Sequence, residues 1–281
     1  MTIIDMFTSP FFQTALIAGL LASFASGIVG SYVVVKRIVF LSGSIAHSVL
    51  SGMGIFLFLQ RKHHLLFLNP LYGAIIAAII SAIVIGWIHL HYSQRKDAVI
   101  ASIWSTGMAI GVIFISLTPG YNVELFDFLF GNILWVTKID LIILCFLNLF
   151  LIVVVGINYQ KLLAICVDEE QAKLQGLSVN RLYLLLLCLV AITVVLLIQV
   201  IGIILVIALL ALPPMIASLF TNRLWKMMVI AFIFCGSFNF IGLVISYQFN
   251  LPTGATISLV ATAVYLTILI FNRQKYKKNY N

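Results

Sequence analysis

Lys36-Arg-Ile-Val-Phe-Leu-Ser-Gly-Ser-Ile-Ala-His47-Ser-Val-Leu-Ser-Gly-Met-Gly54 opens with two cations and then turns apolar, with serines and glycines around one histidine. The run is long enough for a bilayer-spanning helix, which needs about 20 apolar residues. An ionisable imidazole inside such a helix is costly and marks a function. His47 is therefore the first candidate functional residue, facing a polar pathway or binding a ligand. The alternative is a histidine hydrogen-bonded to a backbone carbonyl inside a helix bundle.

Composition sets the class. Of 281 residues, 63% are hydrophobic and 9% charged, and the mean hydropathy is +1.19. A soluble domain carries about 25% charged residues, so this chain could not cover a water-exposed surface. It reads as an all-α, polytopic membrane helix bundle. The N-terminus has no basic region or small-residue cleavage site, so no cleaved signal peptide is expected. Cys145, Cys166, Cys188 and Cys235 lie far apart, without a C-x-x-C, and imply neither a disulfide framework nor a zinc knuckle.

Hydropathy predicts about nine spans, near 13–35, 40–60, 70–91, 98–118, 139–158, 182–199, 201–220, 227–247 and 254–271. The sixth and seventh form one apolar run interrupted at Gln199 and Gly202, so eight spans with a re-entrant piece remain open. With the N-terminus outside and the C-terminus inside, 13 of the 16 basic residues fall in the cytoplasm; Arg61, Lys62 and Lys138 fall outside. Topology thus accounts for the net charge of +8, and no nucleic-acid partner is needed. No Asp, Glu, Lys or Arg lies deep in a predicted span. Proton-coupled carriers usually hold carboxylates there as relays, so the energy source is expected to lie outside this polypeptide.

Three connections stand out. Glu124-Leu-Phe-Asp-Phe-Leu-Phe-Gly-Asn-Ile-Leu134 is too short to span and sits on the outer side. It reads either as a helix at the mouth of a pathway or as an interfacial helix anchored by Phe126, Phe128 and Phe130. Residues 160–181 form the longest polar interruption, with a short helix predicted after Asp168 and ending at Gly176. Pro213-Pro214 should break or bend its helix. No GxxxxGK[ST] occurs, so the chain lacks a phosphate-cradling loop of its own.

Six blocks in order resemble the permease subunits of bacterial ATP-driven importers for zinc, manganese and iron. They are Phe40 to Gly52, Asp97-Ala98 with the span that follows, Leu129 to Leu134, Asp168 to Val179, Val206 to Ala217, and Asn250 to Thr256. The resemblance implies a fold like that of type II ABC importers and one permease domain over 1–281, multi-pass in the bacterial plasma membrane and not itself an enzyme. It implies a homodimer or a pair of related permease chains in membrane lipid. Cytoplasmic subunits would bind ATP below, and an extracytoplasmic metal-binding protein would sit above. The cargo would be a divalent metal, with no cofactor bound by this chain.

By the same resemblance, residues 160–181 form a cytoplasmic loop that docks on the ATPase through Asp168, Glu169, Ala172, Lys173 and Gly176. His47 would contact the metal along a pathway lined by Gly43, Ser44 and Ser48. The family usually carries an aspartate four residues before the histidine, and that position here is Gly43. Either Glu124 or Asp127 from the outer mouth completes the site, or binding at His47 is weak. A neutral imidazole suits Mn, Fe and Zn alike. Two other classes fare worse. An ion-coupled secondary carrier would need an internal repeat and an intramembrane acid, and a membrane enzyme would need a constellation such as H-E-x-x-H or G-x-S-x-G, absent here.

Overall fold

The computed structural model describes residues 9–65, 67–91, 96–120, 128–129, 131 and 133–278. Its long helices are α1 (Pro10–Val35), α2 (Val39–Lys62), α3 (Pro70–His91), α4 (Lys96–Ser116) and α5 (Lys138–Val167). There follow the short α6 (Glu169–Leu174), then α7 (Val179–Ile201), α8 (Ile203–Ser218), α9 (Leu224–Phe249) and α10 (Thr253–Lys278). A 3-10 turn, Ile133–Trp135, precedes α5, and no strand occurs among the described residues.

Among the described residues seven helices are long and apolar enough to cross a membrane, and the apolar helices Ile100–Ser116 and Ile203–Ser218 are shorter. Together they occupy the stretches that hydropathy predicts as about nine spans. The run that left eight or nine open is two helices, because the chain breaks at Gly202. Its φ of 76° and ψ of 162° are accessible to glycine and costly for other residues. Gly131, itself at φ 62°, lies against this break, where an added Cβ would overlap the Ile201 carbonyl. Beside it Phe128 is buried. The described part of the outer connection therefore packs onto protein, while Phe126 and Phe130 lie outside the described residues.

The apolar core is continuous from α1 to α10. α1 runs through its centre, touching α5, α7, α8 and α9, and its buried face is mostly Ala, Gly and Ser, with Phe12, Val29, Tyr32 and Val33 toward its ends. Small residues let membrane helices approach closely and bond through their backbones. Asn239 of α9 donates to the Gly19 carbonyl at 3.1 Å and to Ser23 Oγ at 2.8 Å, and Asn148 of α5 donates to the Leu21 carbonyl at 3.0 Å.

Of the break or bend expected at Pro213-Pro214, a break does not occur: α8 continues through both to Ser218. Each proline lacks the N–H that would bond the carbonyl four residues back, which leaves Leu209 and Leu210 short of a donor. Neighbouring helices cover both. Cys235 Sγ donates to the Leu209 carbonyl at 3.7 Å, and Gly30 brings α1 so close that a Cβ there would stand 2.6 Å from the Leu210 carbonyl oxygen.

Candidate functional site

α2 carries His47 and is clamped on two sides. On one, Gly52 crosses Gly73 of α3 so closely that a Cβ on either would overlap the other's carbonyl. On the other, Gly107 and Gly111 of α4, one turn apart, pack against Ser48 and Leu50; a Cβ at either would stand 2.6 Å from backbone atoms of α2. Gly54 in turn faces Gly111. The two glycines of Gly-x-Gly thus serve different neighbours. α4 spends its Gly-x-x-x-Gly inside the chain, a use of the motif that is common between membrane helices.

Within this clamp His47 is half-buried and stacks flat on Trp104 of α4, with ring centroids 4.4 Å apart and planes 9° off parallel. Its Nδ1 is buried and makes no hydrogen bond within the chain. The carbonyl partner that a purely structural histidine would use is therefore missing at that atom, and a buried unsatisfied polar group calls for a reason. One turn earlier the backbone of Gly43 is buried, yet a Cβ built on it meets no atom within 4 Å. An added Cβ would therefore have open space there, on the turn preceding the imidazole.

The two serines behave differently. Ser44 Oγ donates to the Ile100 carbonyl of α4 at 3.0 Å, and Ser48 Oγ bonds Ser81 of α3 at 2.7 Å. Both are buried and hold seams between helices. Glu124 and Asp127 lie outside the described residues. Among the described residues no group of three or more His, Cys, Asp or Glu could hold a metal ion.

The second candidate site is α6. Asp168 caps it, accepting from the Glu170 and Gln171 amides at 2.9 and 3.1 Å. At the other end Gly176 takes φ 80°, its amide bonds the Lys173 carbonyl, and the Leu177 amide bonds that of Ala172. This is the Schellman arrangement that glycine at this position favours. The short helix thus lies where Asp168 and Gly176 predict it. Its residues divide between two faces. Ala172 is buried against the bundle and Glu169 turns back to pair with Lys36, whereas Lys173 is exposed and Leu174 is 89% exposed. Leu174, which sequence reasoning passed over, is the larger apolar surface.

Sequence comparison completes the picture. The model of a family described as the ABC 3 transport family matches residues 8–272. The chain belongs to this family. A relative from Chlamydia trachomatis, named "Probable metal transport system membrane protein", is 46% identical over 94% of this chain and 90% of its own. A Listeria monocytogenes relative, the manganese transport system membrane protein MntC, is 33% identical over 93% and 90%. In structure, a chain of PsaBC from Streptococcus pneumoniae superposes with a TM-score of 0.85 at 30% identity, covering 99% of this chain and 98% of that one. A chain of an inward-facing ABC transporter shares the fold, with a TM-score of 0.70 at 14% identity. This member of the ABC 3 transport family is a metal ABC transporter permease, a multi-pass membrane protein of about nine spans.

Proposed function

We propose that the chain is the membrane-spanning subunit of an ATP-driven importer that moves a divalent metal ion into the cytoplasm, with His47 contacting the ion in transit. The observation that carries this is the unpartnered, buried Nδ1 of His47 beside the space at Gly43. A neutral imidazole there gives one nitrogen ligand, and Gly43 leaves room for the ion or its water. Manganese, zinc and iron all accept imidazole. The Listeria relative is named for manganese, which supports that metal among the three.

Two copies of this chain would enclose the pathway. The outer face of α4 beside Trp104 exposes Ala101, Ser105, Thr106 and Ala109, small residues of the kind that let a second helix approach closely. Cytoplasmic ATP-binding subunits would dock on residues 160–181, with Lys173 and Leu174 reaching toward them. An extracytoplasmic metal-binding protein would deliver the ion on the other side. In this scheme the N-terminus lies outside and the C-terminus in the cytoplasm, as the distribution of basic residues favours. The ion-coupled alternative has no comparable support, since family membership points to ATP as the energy source.

Gly43→Asp tests the site directly. The new carboxylate enters open space one turn from His47 and adds a hard anionic ligand. The half-saturating metal concentration for uptake should fall roughly tenfold, equivalent to about 1.4 kcal/mol, while turnover slows because the ion leaves less easily. An unchanged half-saturating concentration for manganese, zinc and iron in the folded variant would remove the metal from this level of α2.

A further inference from the structure

We propose that Lys36 is a positioning residue that ties the docking helix α6 to the start of the pathway helix α2, so that ATP hydrolysis and metal movement are coupled through one ammonium group. The proposal rests on the reading of α6 as the ATPase-docking element.

Lys36 ends α1, and α2 begins three residues later. Its side chain is 12% exposed, and its Nζ donates to the Ile165 carbonyl at 2.6 Å and pairs with Glu169 Oε1 at 2.5 Å. The same Nζ lies 6.0 Å from the centre of the Tyr183 ring. One cation thus gathers the last turn of α5, the first turn of α6 and Tyr183 near the start of α7. Each contact has a physical cause. The carbonyls of a helix's last turn lack intrahelical donors and carry partial negative charge, which favours a cation. Glu169 brings a full negative charge, and the aromatic face attracts the ammonium.

The other end of the connection is equally short. Between Lys36 and α2 stand Arg37 and Ile38, and their amides bond the Val34 and Val33 carbonyls to close α1. Arg37 holds φ 59°, a left-handed conformation that glycine usually supplies, so this turn is fixed at a cost in backbone strain. Ile38 is buried behind it. From the turn, Phe40, Gly43 and His47 follow along one side of α2 at helical spacing. α6 packs mainly against α5 and α7, and Lys36 links it directly to the α1–α2 junction. Arg37 beside it is exposed, whereas Lys36 has three internal partners.

The test uses the full complex in proteoliposomes, with its ATPase and metal-binding protein, and reads ATP hydrolysed per metal ion taken up. Lys36→Met, which keeps the aliphatic stem, and Glu169→Gln should each raise that ratio at least about fivefold, the lower range of energetic coupling between sites. The double variant should be no worse than Lys36→Met alone, because the pair that Glu169→Gln removes is already lost there. Lys36→Arg should restore the ratio to within about twofold, while Lys36→Met keeps its thermal midpoint and its ATPase. Hydrolysis and uptake falling together with the ratio unchanged would overturn the proposal, as would additive effects of the two single variants. Retention of the ATPase is read in the same preparation. If the native permease retains none, the docking reading fails and the latch with it; retention with an unchanged ratio overturns the latch alone.

Discussion

Replacing His47 by alanine is expected to cut metal uptake by about tenfold or more, the scale on which metal sites respond to loss of a supporting group, while the complex still assembles. The split follows from where the ring sits. Nδ1 makes no hydrogen bond in the chain, so its removal orphans no partner. The stack on Trp104 is lost, a term of about 1 kcal/mol. Neither change should unfold a bundle whose α2 is held by glycine crossings on both sides. Uptake, the thermal midpoint and retention of the ATPase are the three readouts. Unchanged uptake would end the pathway role of His47, and loss of assembly would make it a structural residue.

Gly52→Val should have the opposite signature, a loss of folded protein before any loss of chemistry. The first added carbon would overlap the Gly73 carbonyl and crowd Ala77. Backbone cannot move aside as the end of a flexible side chain can, so α2 and α3 must separate. Overpacking of this kind costs about 3 kcal/mol, and it would shift α2 against α4 as well, since Gly52 and Gly54 share one helix and Gly54 packs on Gly111 of α4. Gly156→Val is the matched control: α5 is open there, with nothing within 4 Å of an added Cβ, and a surface change of that sort costs within about 0.5 kcal/mol. Thermal unfolding of the detergent-purified chain, followed through its tryptophans, compares the two. Equal midpoints would contradict the crossing geometry.

These two residues also mark where the sequence was legible and where it was not. The spans could be read because burial in lipid demands apolar runs of fixed length, and most predicted bounds fall within a few residues of the helices; α5, however, runs past its predicted end at 158 through the start of the expected loop to Val167, and α10 runs past 271 to Lys278. The end of α6 could be read because a helix stop needs a left-handed residue and Gly176 supplies one. Pairing could not be read. Gly52 and Gly54 are two letters apart, yet they face α3 and α4, and nothing local says which. Gly107 and Gly111 carry a common packing motif that passed unremarked among many small residues. The double proline looked like a break or bend because what surrounds the freed carbonyls, the Cys235 thiol and the close approach of Gly30, comes from α9 and α1. Likewise the Lys36–Glu169 pair joins residues read separately, one among the basic residues assigned to the cytoplasm and the other as part of a docking surface.

At the site itself, the sequence marked His47 through the cost of an imidazole in a span, and family resemblance drew attention to the missing aspartate at position 43. What it could not show is that the missing side chain leaves its space behind, or that Ser44 and Ser48 turn to α4 and α3. Those depend on how α2 is rotated within its clamp.

The central claim is that this permease moves a metal ion at the expense of ATP hydrolysed by a partner. Uptake of radioactive manganese, zinc and iron into proteoliposomes, with the ATPase and ATP supplied or withheld and the proton gradient imposed or collapsed, tests it most directly. The account predicts uptake of at least one of these metals that requires ATP and the ATPase and persists without a proton gradient. Uptake driven by a proton gradient through this chain alone, with no ATPase present, would contradict it.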